Sequence, residues 1–240
     1  MQNSCIISNN RFPGPYAPNE NPRYKPSNNV VQNNIKVKTK LFPYLQNMEH
    51  MKKLRIDKHS LSTISLRDIA EKITLIILKH TKHNIKEPIS KSNMTITDAT
   101  AGVGGNTISF ANYFKKVNAV ELDFQRFCFL QNNINVYELN NVDVYNYDYT
   151  KLFNNLEQDI VFIDPPWGGR NYKAYDLLRL GVSNMSLETL CDNIFKYNKC
   201  TKYIVLKLPY NYDLKYIDEK IDKKTYVYDL EKMLILIIEN

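Results

Sequence analysis

Residues 160–163 read Ile-Val-Phe-Ile and are followed at once by Asp164, Pro165 and Pro166. A short, mostly β-branched run of this kind makes a strand buried on both faces, so the chain needs a sheet covered on both sides. The two prolines end the strand: neither donates a ladder hydrogen bond, and each holds the residue before it extended. Gly168 and Gly169 then free the backbone to turn. Trp167, the one tryptophan of the chain, therefore sits on a stiff loop at a strand's C-terminal edge. Open α/β sheets bind their ligands at that edge. Two readings of Trp167 stand side by side, a planar clamp for a flat ligand and a core tryptophan in a tight turn.

The rest of the chain supplies such a sheet. Strands are expected at 94–99, 117–122, 142–145, 159–163 and 203–208, with helices at 106–115, 124–138, 150–156, 187–195 and 214–221. Ile108 and Phe110 should face inward. This alternation predicts a doubly wound, mostly parallel α/β sheet. The closing runs at 225–229 and 233–238, with no helix between them, predict one antiparallel edge strand. Upstream, 40–65 reads as a short helix or irregular segment. Ser65-Leu66-Arg67-Asp68 resembles a capping box, opening a helix over 66–82 that carries Ile69, Ile73, Ile76 and Ile77 and stops at the 84–88 break. Residues 1–38, rich in proline and asparagine, read as a disordered or loosely packed basic tail. The expected division is a tail at 1–38, a small N-terminal helical extension at 39–90 and the α/β domain at 91–240.

The net charge of +7 and pI near 9.0 suit a polyanionic partner, although solvated lysines alone produce such an excess. No apolar run approaches the roughly 18 residues of a membrane span, and 1–10 lacks a signal pattern. Cys5, Cys128, Cys191 and Cys200 show no metal or disulfide spacing. His80 and His83, three apart, lack a third ligand, so neither metal nor membrane is expected. An intracellular location, nucleus or cytoplasm, fits.

A second constellation surrounds the glycine loop after the first strand, Asp98-Ala99-Thr100-Ala101-Gly102-Val103-Gly104-Gly105. Thr100, Gly102 and Gly104 would line a cradle at a helix start, where a ligand approaches backbone closely. A dinucleotide fingerprint asks for Gly-x-Gly-x-x-Gly; here the third position is Thr107, and Asp98 would repel a pyrophosphate. Asp98 suits the ammonium of an amino-acid ligand, which favours S-adenosylmethionine over NAD. Glu121 ends the second strand, placed to accept from ribose hydroxyls. Asp148 follows the third strand, placed for an adenine amino group with Tyr149 beside the ring. Each has a plain alternative: Asp98 as helix cap, Glu121 as solvated strand end, Asp148 as turn former.

Taken together, Asp-Ala-x-x-Gly-Val-Gly-Gly-Asn-Thr (98–107), Glu-Leu-Asp (121–123), Asn132-Asn133 and Asp-Pro-Pro-Trp-Gly-Gly (164–169) resemble the trimethylguanosine synthase family, the RNA cap guanine-N2 methyltransferases, from about residue 40 onward. The resemblance implies a class I, Rossmann-like methyltransferase with a seven-stranded sheet, using S-adenosylmethionine on a 7-methylguanosine-capped RNA. It implies that Asp98, Glu121 and the Asp148 region hold the cofactor, and that Trp167 stacks on 7-methylguanine with Asn133 and Asp164 near it. Asp164 and the Pro165 carbonyl become the candidates to orient the acceptor amine. This chain departs from the family in three places. Asp164 stands where members often have Ser, and Glu121 where the ribose ligand is usually Asp. The family's Leu-Pro-Arg-Asn, whose Arg binds cap phosphate, appears as Leu208-Pro209-Tyr210-Asn211, leaving Lys207, Arg170 or Lys173 as substitutes. The rival readings are another amino methyltransferase on RNA or DNA, an inactive module that binds capped RNA, and, least of all, a NAD-linked dehydrogenase.

Overall fold

The computed structural model describes residues 34–81 and 92–240. The expected tail at 1–33, His83 and the 84–88 break lie outside these residues.

Three short helices open the described chain: α1 (Ile35–Leu41), α2 (Met48–Lys53) and α3 (Ser60–Thr63). Thus α1 begins inside the stretch read as tail. Asn34 caps it, its side chain accepting from the Lys36 amide at 3.0 Å. The long α4 (Arg67–Thr81) follows, burying Ile73 and Ile77. Ser65 was read as its cap; instead its hydroxyl receives the Lys207 ammonium at 3.0 Å.

The α/β domain runs β1 (Ser92–Asp98), α5 (Gly105–Tyr113), β2 (Phe114–Val120), α6 (Phe124–Val136), β3 (Val142–Tyr145), α7 (Tyr149–Leu152) and β4 (Ile160–Ile163). A 3-10 turn at Gly169–Ala174 and a small hairpin, β5 (Gly181–Val182) with β6 (Met185–Ser186), follow. The chain ends with α8 (Leu187–Tyr197), β7 (Tyr203–Leu208), α9 (Leu214–Lys220), β8 (Lys224–Asp229) and β9 (Leu234–Glu239). The 3-10 turn and the hairpin have no counterpart in the sequence reading, because two-residue strands carry no periodicity. Helix α5 also ends sooner than expected. No glycine or proline separates it from β2, and Phe114, fully buried in extended backbone, already pairs with Ser92.

The sheet order is β3-β2-β1-β4-β7-β9-β8, parallel except for β9, which is antiparallel to β7 and β8. The antiparallel strand is therefore not the edge, as the sequence suggested. It is slotted between β7 and β8, and β8, whose side chains are largely exposed, takes the edge. The apolar run 234–238 of β9 needs cover on both faces, so the interior place is the favourable one.

Strand β4 behaves as its composition requires. Val161 and Ile163 join the cluster containing Leu187, Leu190 and Leu206 on one face, while Ile160 and Phe162 join Phe110, Ile73 and Ile235 on the other. Phe110 and Ile108 are fully buried, as expected. Chain order reverses between β1 and β4, which opens a crevice at their C-terminal ends.

Candidate active site

Both motifs converge on that crevice. Asp98 pairs with Phe162 in the parallel register of β1 and β4. Past the strand ends, the Asp164 amide donates to Thr100 Oγ at 2.9 Å. The glycine loop and the Asp-Pro-Pro-Trp loop are thus tied by one hydrogen bond.

Asp98 is 1% exposed. Its Oδ2 accepts from the Thr107 hydroxyl at 2.6 Å, while Oδ1 makes no hydrogen bond among the described residues. Burial raises its carboxyl to about 7; the Thr107 hydroxyl and, more weakly, the Thr100 backbone amide oppose this, and the nearby Asp164 and Glu121 carboxylates add to it. The loop around it is held open. Gly102 (φ +56°) has nothing within 4 Å of where a Cβ would stand, so its face is clear for a ligand. Gly104 (φ +101°) packs so closely that a Cβ would meet Leu130 Cδ1 at 2.9 Å. An unpartnered buried carboxylate oxygen beside clear glycine backbone fits an ammonium-bearing nucleoside, and S-adenosylmethionine is of that class.

Glu121 braces the loop: Oε2 accepts from the Gly102 amide at 2.9 Å, and Oε1 from the Asp123 amide and Arg126 Nε at 2.8 and 3.2 Å. A carboxylate has about four acceptor sites, so this leaves capacity for a hydroxyl. Asp148 caps α7, Oδ1 accepting from the Thr150 amide and hydroxyl.

The second motif has a charged centre. The register of β4 on β7 sets Ile163 opposite Leu206, which brings the next residues, Asp164 and Lys207, level. Lys207 Nζ lies 2.6 Å from Asp164 Oδ2, 3.0 Å from Ser65 Oγ and 5.5 Å from the centroid of the Trp167 ring. Burial pushes the Asp164 carboxyl up, against the pull of the Lys207 ammonium. Trp167 is half-buried and packs edge-on against Tyr172 at 5.2 Å; its Nε1 is buried without a partner among the described residues. It opens onto a cleft of about 780 Å³, walled also by Tyr172, Tyr175, Arg179 and Asp213. Asn211 ties this wall to the turn after β7, its amide donating to the Tyr172 and Tyr175 carbonyls at 2.7 Å each.

Three sequence-level assignments change. Asn133, read as a neighbour of the base, is fully buried in α6. Its oxygen accepts from the Arg55 amide at 2.7 Å, and its amide donates to the Arg55 and Val103 carbonyls at 2.9 Å each. It clasps the N-terminal extension to the glycine loop. Tyr149 is 1% exposed and shares its hydroxyl with Gln158, so its ring belongs to the core and not to the cleft surface. Lys207, read as a candidate phosphate ligand, spends two of its three donors on Asp164 and Ser65 and is buried. Tyr210, at the family's arginine position, donates its hydroxyl to Asp229. Sequence reasoning gave Ser65, Thr107 and Arg179 no part in the site. Ser65 left a trace only in the capping box and Thr107 only as the residue that breaks the dinucleotide fingerprint.

Among the described residues, no three His, Cys, Asp or Glu side chains cluster as metal ligands, and no helix is long and apolar enough to cross a membrane.

A family model described as RNA cap guanine-N2 methyltransferase matches residues 93–235, more than half of the chain. Uncharacterized protein L320 of Acanthamoeba polyphaga mimivirus is 38% identical over 220 residues, 85% of each chain. The trimethylguanosine synthase of Schizosaccharomyces pombe is 30% identical over 128 residues, 50% of this chain and 52% of that protein. Among solved structures, a T. thermophilus 16S rRNA N2 methyltransferase in complex with AdoMet and guanosine superimposes with a TM-score of 0.54 at 17% identity, covering 78% of this chain and 44% of that one. The human methyltransferase 10 domain containing protein also gives 0.54, at 11% identity, covering 71% and 81%. At these identities the structural likenesses speak for the fold.

Proposed function

The chain belongs to the RNA cap guanine-N2 methyltransferase family, and from that premise we propose that it transfers methyl from S-adenosylmethionine to the exocyclic N2 of a 7-methylguanosine cap. The observation that carries this reading is Trp167, an aromatic side chain lining a cleft, held beside the partly buried Asp164 by the loop that Thr100 anchors.

When bound, S-adenosylmethionine supplies a methyl on a sulfonium, already a good leaving group. The acceptor is the weak partner, since the N2 lone pair is delocalised into the guanine ring. Alignment is therefore the main contribution asked of the protein, and it supplies roughly 7–11 kcal/mol in favourable cases. Asp98 would hold the ammonium through Oδ1, Gly102 would admit the nucleoside, and Glu121 would accept from a ribose hydroxyl. Asp164, its Oδ2 fixed by Lys207, accepts from the N2 amine, and the Pro165 carbonyl is the candidate second acceptor. Asp164 would also be placed to take up the proton that the amine gives up on methylation. Trp167 stacks on the 7-methylguanine ring. Because that ring is cationic, the stack favours it over guanine by about 0.5–2 kcal/mol, up to roughly thirtyfold.

One observation favours a second reading. Asp precedes Pro165-Pro166 where the resemblance led us to expect Ser, and amino methyltransferases acting on internal bases use that residue as well. Transfer of labelled methyl to a panel of 7-methyl-GTP, GTP, ATP and uncapped RNA separates the two. Label on 7-methyl-GTP supports the cap. Label confined to uncapped RNA supports the internal base, and cofactor binding without any transfer supports a binding module.

A further inference from the structure

We propose that Arg179 anchors the phosphate chain of the acceptor, a role for which neither Tyr210 nor Lys207 is placed. The inference rests on the cap reading for the identity of the acceptor, and on the cleft alone for the anion site.

Backbone pairing puts Arg179 in position. The Leu178 amide donates to the Asn211 carbonyl at 2.7 Å and the Asp213 amide to the Leu178 carbonyl at 2.9 Å, so the segment runs alongside the turn after β7. Arg179 thus stands next to Pro209–Asn211, the turn in which family members carry their phosphate-binding arginine. The guanidinium carbon lies 3.4 Å from the centroid of the Tyr216 ring, and Nε and Nη2 reach the same Asp213 oxygen at 3.4 and 3.3 Å. Stacking fixes the plane of the fork, and Asp213 takes the Nε–Nη2 edge, which leaves the end edge formed by Nη1 and the second hydrogen of Nη2. Arginine presented edge-on from a stacked, oriented plane matches a phosphate in two parallel hydrogen bonds. Asp213 offsets part of this charge, but its contacts to the guanidinium sit at the long end of hydrogen bonding, and its other oxygen is held by the Tyr216 amide at the start of α9, so it orients the fork without enclosing it.

The same cleft wall carries Trp167. A base stacked there has its phosphates in the same cleft, and the Arg179 side chain, 55% exposed, stands open to them. By contrast the Lys207 side chain is 7% exposed and paired, and the Tyr210 hydroxyl is spent on Asp229.

Calorimetric titration of wild type, Arg179→Met and Arg179→Lys with tripolyphosphate, 7-methylguanosine and 7-methyl-GTP tests the assignment. Arg179→Met keeps an apolar stem against Tyr216, and thermal melting checks that it folds. The expected result is a loss of roughly ten- to hundredfold for tripolyphosphate and 7-methyl-GTP in Arg179→Met. 7-Methylguanosine should bind unchanged and Arg179→Lys should recover part of the loss. Equal binding of tripolyphosphate by wild type and Arg179→Met would overturn the proposal, as would a parallel loss of 7-methylguanosine. If wild type prefers 7-methylguanosine no more than guanosine, yet Arg179→Met still loses tripolyphosphate, the cap reading falls and the anion site stands.

Discussion

Lys207 Nζ and Asp164 Oδ2 lie 2.6 Å apart at the C-terminal ends of neighbouring strands, with the two side chains 7% and 16% exposed. The pair sets a carboxyl and an amine against each other beside Trp167, in a site whose burial disfavours a lone charge of either sign. Removing one partner is therefore worse than removing both. Lys207→Met should cost about 3–5 kcal/mol of stability and move the acid limb of the rate–pH profile upward, because Asp164 loses the ammonium that holds its carboxyl down. The double variant Asp164→Asn with Lys207→Met should recover much of that stability but not the activity. A double-mutant cycle by denaturant unfolding, with pH–rate profiles alongside, checks both points.

Cofactor affinity should depend on the charge of Asp98. Its carboxyl is raised to about 7 in the free protein, so below that pH the proton must leave before an ammonium can pair with it. Affinity for S-adenosylmethionine is expected to climb as pH rises from about 5.5, by up to tenfold per unit, and to level off above about 7. Asp98→Asn should bind weakly with a flat profile. Titration calorimetry across this range, in buffers of different ionisation enthalpy, also counts the proton released.

The two loop glycines should fail in different ways. Gly104→Ala drives a methyl to 2.9 Å from Leu130 Cδ1 at φ +101° and should lower stability along with binding. Gly102→Ala meets no protein atom, so its fold cost is only the roughly 1–2 kcal/mol of left-handed backbone. It should nonetheless lose cofactor affinity by tenfold or more, because its methyl fills the face offered to the ligand. Melting curves with and without S-adenosylmethionine distinguish the two.

Asn133→Ala should act on the fold and leave base selection alone. It deletes buried bonds to Arg55 and Val103 and strands their backbone groups, a loss of about 2–4 kcal/mol. The melting temperature should fall by several degrees, while the preference for 7-methyl-GTP over GTP persists. A variant that kept its melting temperature and lost that preference would return Asn133 to the substrate pocket.

Local motifs were legible in the sequence because they are local. The apolar run 160–163 and the prolines after it announce a central strand and a stiff loop, and Asp98 with Gly102 and Gly104 announce a cradle. What could not be read is what distant segments do to one another. Lys207 meets Asp164 across 43 residues and Asn133 meets Arg55 across 78, and only the assembled sheet brings them together. Tyr149 shows the same limit at short range. It directly follows the cap residue Asp148, but one step along a helix turns a side chain by about 100°, and that step carries it into the core. The place of β9 was hidden likewise: its apolar run asks for an interior position, but that β8, earlier in the chain, lies beyond it at the edge appears only in the assembled sheet.

The most direct test is the ratio of kcat/KM for 7-methyl-GTP to that for GTP, with the product's methyl located by mass spectrometry, for wild type and Trp167→Ala. The account predicts methyl on N2, a clear preference for 7-methyl-GTP in wild type, and its collapse toward one in Trp167→Ala. Equal rates on GTP and 7-methyl-GTP, or a preference indifferent to Trp167, would contradict it.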